Sequence, residues 1–223
     1  MPIIEEITTK TGVLSVIRDS GMLALRNNGV GQSCIFTDDS VIQPIYIKVQ
    51  DLVRNFSNNA PIKNALVLGG GGCFFPRFLI QYFDNEINID SVEYDGNVIT
   101  LCKKYFLDDI PTDKLSLIEM DAFEFIGKTD KFYEVIFVDL FDGDKLTESV
   151  YSNSSFLSNL YTHTAEKSIT IINTYTSSSS ICDRIIEMGT HLFNHCYILK
   201  EADALFIVLL KADLTIENIN GNN

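Results

Sequence analysis

The chain has 223 residues, of which 46% are hydrophobic and 21% charged, a profile that excludes a disordered, collagenous or fibrous protein. Lys+Arg 17 against Asp+Glu 30 gives a net charge of −13, a field that repels phosphate backbones and anionic membrane surfaces. No nucleic-acid or membrane partner is therefore expected, and a small cationic substrate is favoured. Met1-Pro2-Ile3-Ile4-Glu5-Glu6 carries no basic-then-apolar leader, and no apolar run approaches the roughly 20 residues of a bilayer span, so a cytoplasmic location is expected. The cysteines (Cys34, Cys73, Cys102, Cys182, Cys196) form no CxxC pair and fit reduced thiols.

Short β-rich runs come first: 13–17, 22–25 and 33–36, separated by Arg18-Asp19-Ser20-Gly21 and Asn27-Asn28-Gly29. They predict a small antiparallel unit that must pack against something else to be stable. A helix is expected over 44–56, with Pro44 in its first turn and Ile45, Val49, Leu52, Val53 and Phe56 at helical spacing. Asn58-Asn59-Ala60-Pro61 breaks the chain and divides a β-hairpin region with its linking helix, 1–58, from a larger domain, 59–223. There the pattern is strand (65–68), helix (77–83), strand (87–93), helix (96–106), then strands at 115–118, 133–139 and 169–173. A helix running to Met188, capped by Ser177 to Ser180, and strands at 197–199 and 205–210 complete the predicted elements. Apolar strands alternating with helices imply a doubly wound α/β fold whose parallel sheet is covered on both faces.

Four positions carry the candidate chemistry. Gly69, Gly70, Gly71 and Gly72 follow the buried strand and allow a tight turn and close backbone approach to a ligand; the helix start beyond them is expected to offer free N–H groups. Glu93 ends the next strand at the distance where nucleoside-binding folds place an acid on ribose hydroxyls, while Asp95 reads as a helix cap. Asp121, in Met120-Asp121-Ala122-Phe123, is either an acceptor for an adenine amine or a solvated loop acid. Asp139, Asp142 and Asp144 make the end of the fourth strand anionic, which suits a cationic substrate and supplies a candidate general base. His191 and His195, four apart with Cys196 beside them, have helical zinc spacing but no third ligand, so no metal is expected.

Together these motifs resemble the spermidine synthases, the polyamine aminopropyltransferases. The residues that carry the resemblance are Leu68-Gly69-Gly70-Gly71-Gly72-Cys73-Phe74-Phe75-Pro76-Arg77, Val92-Glu93-Tyr94-Asp95, Lys103-Lys104-Tyr105-Phe106, Asp121-Ala122 and Asp139-Leu140-Phe141-Asp142-Gly143. Gly21-Met22-Leu23-Ala24-Leu25 and Gly29-Val30-Gly31-Gln32-Ser33 are similar to that family's small N-terminal β-domain, so the resemblance spans roughly residues 12 to 210. The wording is nearest a divergent, spermidine-synthase-like branch.

The resemblance implies a Rossmann-like, seven-stranded class I methyltransferase-type sheet, a homodimer, and decarboxylated S-adenosylmethionine or S-adenosylmethionine as co-substrate with a diamine such as putrescine. It further implies that Gly69, Gly70, Gly71 and Gly72 line the cofactor loop, that Glu93 takes the ribose, and that Asp121 and Ala122 meet the adenine. Asp139 would deprotonate the attacking amine and border the cofactor, with Asp142, Gln32 and Tyr46 around the diamine. Two departures bear on the reaction: Gly72 stands where the synthases carry an aspartate, and Gly143 where they carry a proline. Methyl transfer, or a catalytically silent nucleoside- or polyamine-binding relative, therefore remain alternatives.

Overall fold

A computed structural model describes residues 2–9, 12–37, 46–142, 145–175 and 179–211, and of Asp142, Lys145, Tyr151, Ser154 and Ser179 only the backbone. The chain opens with four strands, β1 (Ile3–Thr8), β2 (Val13–Asp19), β3 (Met22–Asn27) and β4 (Val30–Phe36), forming one antiparallel sheet in chain order. β1 is an element the sequence reading did not anticipate; it sits at the sheet edge and pairs only with β2, so little of it is buried. Its outer end is tied down because Glu5 accepts from Lys104 Nζ and the Tyr105 hydroxyl.

Helix α1 (Ile47–Ser57) follows and buries Val49, Leu52, Val53 and Phe56. It begins later than the predicted 44–56; Pro44 and Ile45 lie outside the described residues, and Tyr46, in left-handed conformation (φ 57°), forms its N-cap.

The remaining strands build the main sheet: β5 (Asn64–Leu68), β6 (Asn88–Glu93), β7 (Leu115–Glu119), β8 (Tyr133–Val138), β11 (Thr164–Tyr175), β12 (His195–Glu201) and β13 (Ala204–Leu210). Their order is β12-β13-β11-β8-β5-β6-β7, with β7-β6-β5-β8-β11 paired in parallel and β13 running against both its neighbours. Alternate residues of the central strands feed two cores. Ala65, Val67, Val135 and Phe137 face α1 and α2 (Phe74–Tyr82), where Phe75 stacks on Phe137 with centroids 4.1 Å apart. Leu66, Leu68, Ile136 and Val138 face the other way, toward α4 (Ala122–Ile126), α5 (Glu148–Ser152), α6 (Ser154–Thr162) and α7 (Ser179–Leu192). This is the doubly wound α/β arrangement that the apolar strands implied.

The N-terminal sheet is not independent. Leu14, Val16, Leu23, Leu25 and Ile35 share a third core with Cys73 and with Val98, Leu101 and Cys102 of α3 (Gly96–Tyr105). Burying one face of that sheet against α3 gives four short strands the partner they need. It also brings β4 to the glycine-rich turn after β5.

Several boundaries differ from the reading of the sequence. α2 starts at Phe74 rather than Arg77, since Pro76 falls within the first turn, where a proline costs no hydrogen bond. The short helices α4, α5 and α6, and the two-residue strands β9 (Phe141–Asp142) and β10 (Lys145–Leu146), were not anticipated. The α7 helix ends at Leu192 and His195 begins β12, so His191 and His195 do not share a helix. Among the described residues, no cluster of three His, Cys, Asp or Glu is placed to hold a metal ion. Ser177 and Ser178, expected to cap α7, lie outside the described residues.

Candidate functional site

The site forms where the carboxyl ends of β5, β6 and β8 meet. Leu68 is paired with Val92 on one side and Val138 on the other, so the residues that follow all three strands converge. The Asp139 N–H donates to Leu68 O at 2.8 Å, which sets Asp139 directly beside Gly69.

The glycine turn is shaped by these neighbours. Gly69 has φ +84°, and a Cβ on it would lie 2.2 Å from the Asp139 carbonyl oxygen. A Cβ on Gly70 would lie 2.4 Å from Ser91 Oγ, and one on Gly72 2.5 Å from Ser33 Cβ. Every backbone N–H along the turn is already engaged. Gly69 and Gly70 donate to Val92 O at 2.9 and 3.1 Å, and Cys73 donates to Gly70 O at 2.8 Å. Gly71 donates to Glu93 Oε2 at 3.0 Å, and Gly72 to Ser33 Oγ at 2.9 Å. These bonds leave no free N–H within the turn itself; the expectation of free donors concerned the start of α2 beyond it. Anion-binding turns hold phosphates through such groups; here protein acceptors take them, and the turn acts as a rigid wall.

Glu93 is half-buried, and its two oxygens accept from Gly71 N–H and from Asp95 N–H, the latter at 3.1 Å. Burial raises its pKa, partly opposed by those backbone donors. A carboxylate offers about four acceptor positions, so two remain for hydroxyl groups of a ligand. Asp95 caps α3, accepting from Asn97 N–H at 2.9 Å. Tyr94, between the two acids, is 63% exposed.

Asp121 is an N-cap. Its Oδ1 accepts from Phe123 N–H (2.9 Å) and Glu124 N–H (3.0 Å) at the start of α4, and Oδ2 lies outside the cap. The solvated-loop alternative is thus replaced by a structural role, and the sequence did carry the signal: Asp121-Ala122-Phe123-Glu124 has capping-box spacing. Ala122 is buried at the first position of α4.

Asp139 is the most perturbed acid of the site. Burial is the main cause and the negative charge of Glu93 adds to it, so its pKa is pushed up to about 7 although a hydrogen bond from Asn173 pulls the other way. Asn173 Nδ2 donates to Asp139 Oδ1 at 2.7 Å and lies 3.5 Å from the Tyr46 hydroxyl. The Tyr46 ring is held edge-on by Phe74 and Phe206, with centroids 5.4 and 4.9 Å away, and burial followed by the charge of Asp139 raises its phenol pKa. The structure therefore brings together Asp139, Tyr46, Glu93 and the glycine turn.

Gln32 is exposed on β4, at the bulge where the register with β3 shifts, and neighbours Ser33 rather than Tyr46 in the chain. Asp142 closes the β9–β10 pair through its backbone; its side chain, with Gly143 and Asp144, lies outside the described residues. Two participants were missed from sequence, Ser33 and Asn173. Ser33 ends a run that carries the resemblance but had no role assigned to it, and Asn173 sits in no motif; each is defined by partners remote in the chain. The Cys102 thiol also reaches the turn, donating to Gly71 O at 2.7 Å, and stays protonated through its hydrogen bond with Cys73 and burial.

Residues 49–190, well over half the chain, match the family model for the spermine/spermidine synthase domain. The chain belongs to the spermine/spermidine synthase family. It is 35% identical over 98 residues to a polyamine aminopropyltransferase of Methanocaldococcus jannaschii, covering 43% of this chain and 33% of that protein. It is 29% identical over 113 residues to one of Lachnospira eligens, covering 49% and 39% respectively. The matched stretch is thus well under half the length of these curated relatives.

In structure the chain is similar to a probable spermidine synthase from Corynebacterium glutamicum, with TM-score 0.79 and 18% identity, covering 96% of this chain and 81% of that one. Human methyltransferase-like protein 13, in complex with SAH, matches with TM-score 0.62 and 17% identity over 76% of this chain and 83% of that one. At these identities the neighbours establish the fold, which is of the class I methyltransferase type.

Proposed function

We propose that this member of the spermidine synthase family is an aminopropyltransferase, moving an aminopropyl group from decarboxylated S-adenosylmethionine to a diamine such as putrescine. The observation that carries the reading is Asp139: a carboxyl pushed up to about 7, fixed by a hydrogen bond, at the mouth shared by the glycine turn and Glu93. An alkylamine has a pKa near 10 and is protonated at neutral pH, so its attack requires a base at the site. A carboxylate poised near neutrality meets that need better than an ordinary aspartate.

The residues fit such a co-substrate. The closed turn suits a nucleoside without phosphates, and the remaining acceptor positions of Glu93 suit the two ribose hydroxyls. Asp121 Oδ2, outside the helix cap, is free of that duty to accept from the adenine amine, with Ala122 beside it. The co-substrate supplies an activated carbon next to its sulfonium. Asp139 takes a proton from the substrate ammonium; the freed nitrogen lone pair forms the new C–N bond as the C–S bond breaks, and methylthioadenosine leaves. Tyr46, Gln32 and Asp142 are the proposed lining of the diamine channel, whose anionic character matches the net charge of −13. The reading extends to a homodimer, as the family resemblance implies, and to a cytoplasmic location, in keeping with free thiols at all five cysteines.

One observation favours a second reading, methyl transfer from S-adenosylmethionine. Gly72 packs against Ser33, so no acid stands at that position to reject the α-carboxylate of the carboxylated co-substrate. Calorimetric titration with S-adenosylmethionine, its decarboxylated form and methylthioadenosine, with and without putrescine, separates the two. Tighter binding of the decarboxylated form, with methylthioadenosine released on mixing with putrescine, supports aminopropyl transfer. Preference for S-adenosylmethionine with no release overturns it.

A further inference from the structure

We propose that Asn173 is a positioning residue for the base: its side-chain amide holds the Asp139 carboxylate, the Tyr46 hydroxyl and the exit of β11 at one point. The proposal rests on the reading of Asp139 as the group that deprotonates the amine. Asn173 is 2% exposed, at the end of the central strand β11. Its Oδ1 accepts from the Tyr175 N–H at 2.9 Å, while Nδ2 donates to Asp139 Oδ1 at 2.7 Å and reaches the Tyr46 hydroxyl at 3.5 Å. The backbone N–H can only donate, so it fixes which end of the amide faces it. Nδ2 must then face the acid, and it can only donate there.

The local backbone is built for this. The register between β11 and β13 shifts between Asn173 and Tyr175, and Tyr175 turns into the left-handed region at φ 45°. Thr174 Oγ1 anchors the irregularity by donating to Leu205 O at 2.7 Å. Bulges of this kind re-aim side chains next to active sites. Here the bulge brings the Tyr175 N–H round to Asn173's own side chain.

The chemical consequence is specific to one atom. With Oδ1 committed to an N–H donor, the proton that Asp139 takes from the ammonium goes to Oδ2: the N–H bond breaks, an O–H bond forms on Oδ2, and the lone pair stays on the amine nitrogen. The amide also favours the ionised carboxylate over the neutral acid, opposing burial and the charge of Glu93. Tyr46 is the other titratable group facing this point; Tyr175 and Glu201 act on Tyr46 in turn.

The test is a carbon-13 NMR titration of the Asp139 carboxyl in the full chain, assigned by its loss in Asp139→Asn and compared between the parent protein and Asn173→Ala. Loss of the amide donor should raise the midpoint by about one pH unit, the tenfold change expected of a hydrogen bond to an ionised group. The acid limb of the kcat/KM profile should move the same way, which a purely structural role would not cause. Asn173→Ser keeps a donor on a shorter arm, should fall between the two, and serves if the alanine variant does not fold. An unchanged or lowered midpoint in a variant that melts like the parent overturns the proposal. If the parent itself converts no diamine, the transferase reading fails, while the titration still decides what Asn173 does to Asp139.

Discussion

Replacing Asp139 by asparagine should make the protein more stable and inactive at once. The carboxyl has an ordinary value of 3.8 and is pushed up to about 7 by burial, so the folded state disfavours its ionised form. Below pH 4 the group is protonated in both folded and unfolded chains and contributes no pH dependence. Between about 4 and 7 the unfolded chain ionises while the folded one stays protonated, so stability falls as pH rises; above 7 both are ionised and the loss is complete. The difference corresponds to about 4 kcal/mol at roughly 1.36 kcal/mol per pH unit, and partial access of solvent makes that a ceiling, so about 2–4 kcal/mol is expected. Asparagine fills the same space and its Oδ1 still accepts from Asn173, so the substitution removes the charge and little else. Denaturant titrations of the parent and Asp139→Asn at pH 4 and pH 8 read the effect directly. The two should coincide near pH 4 and separate by about 2–4 kcal/mol at pH 8, or roughly 5–15 °C in Tm for a chain of this size. A variant that is less stable at pH 8, or a gap independent of pH, would refute the argument that Asp139 is held ionisable against its surroundings.

Two further outcomes follow from the geometry. Ser33→Ala removes the acceptor of the Gly72 N–H and loosens the link between the N-terminal sheet and the turn; methylthioadenosine should bind about fivefold more weakly, for about 1 kcal/mol, and unchanged calorimetric affinity would count against it. Asp109→Ala leaves the Arg77 guanidinium, 3% exposed and paired to both carboxylate oxygens at 2.5 and 2.6 Å, with Phe106 O as its remaining partner. That should cost about 3 kcal/mol in urea unfolding at neutral pH. The Arg77 hydrogen bond holds the Asp109 carboxyl below its usual value, so the gap should close as pH falls through that lowered value.

The elements that were legible in the sequence are those whose signal is local and repeated. Val67 and Val135 lie in unbroken apolar runs of four residues, too short for a helix and matching strands covered on both faces. β1 escaped because Ile3-Ile4-Glu5-Glu6-Ile7-Thr8 mixes charge into an edge strand that buries little. α4 and α5 escaped because helices of five residues carry too few turns to display a period. The glycine turn, Glu93 and Asp139 were visible because each sits at a strand end, where the topology itself delivers it to the crevice. Asn173 and Ser33 were not, since their partners Tyr46, Asp139 and Gly72 come from other elements. Asp121 was visible as an acid, and its cap had to be read from Glu124.

The site is costly to the fold in ways that point to use. Ser20, Asn28, Asp84, Asn85 and Ala202 in turns elsewhere adopt left-handed backbone conformations without being glycine, and so do Tyr46, Cys73 and Tyr175, the residues that enter α1, enter α2 and leave β11. Each such residue costs about 1–2 kcal/mol. An acid is kept ionisable against burial at the point where these segments meet, and the turn beside it engages its own N–H groups rather than leaving them for an anion. Two acids, Glu93 and Asp139, both held above their ordinary values in one crevice are characteristic of functional centres, because a fold selected for stability alone would relax them. A turn whose N–H groups are taken by protein acceptors offers no donor of its own to a phosphate, and the acids beside it add negative charge. On the proposed reading the site favours ligands that bring hydroxyl donors and positive charge: a sulfonium nucleoside with an ammonium supplies both, whereas a dinucleotide brings hydroxyls together with an anionic pyrophosphate.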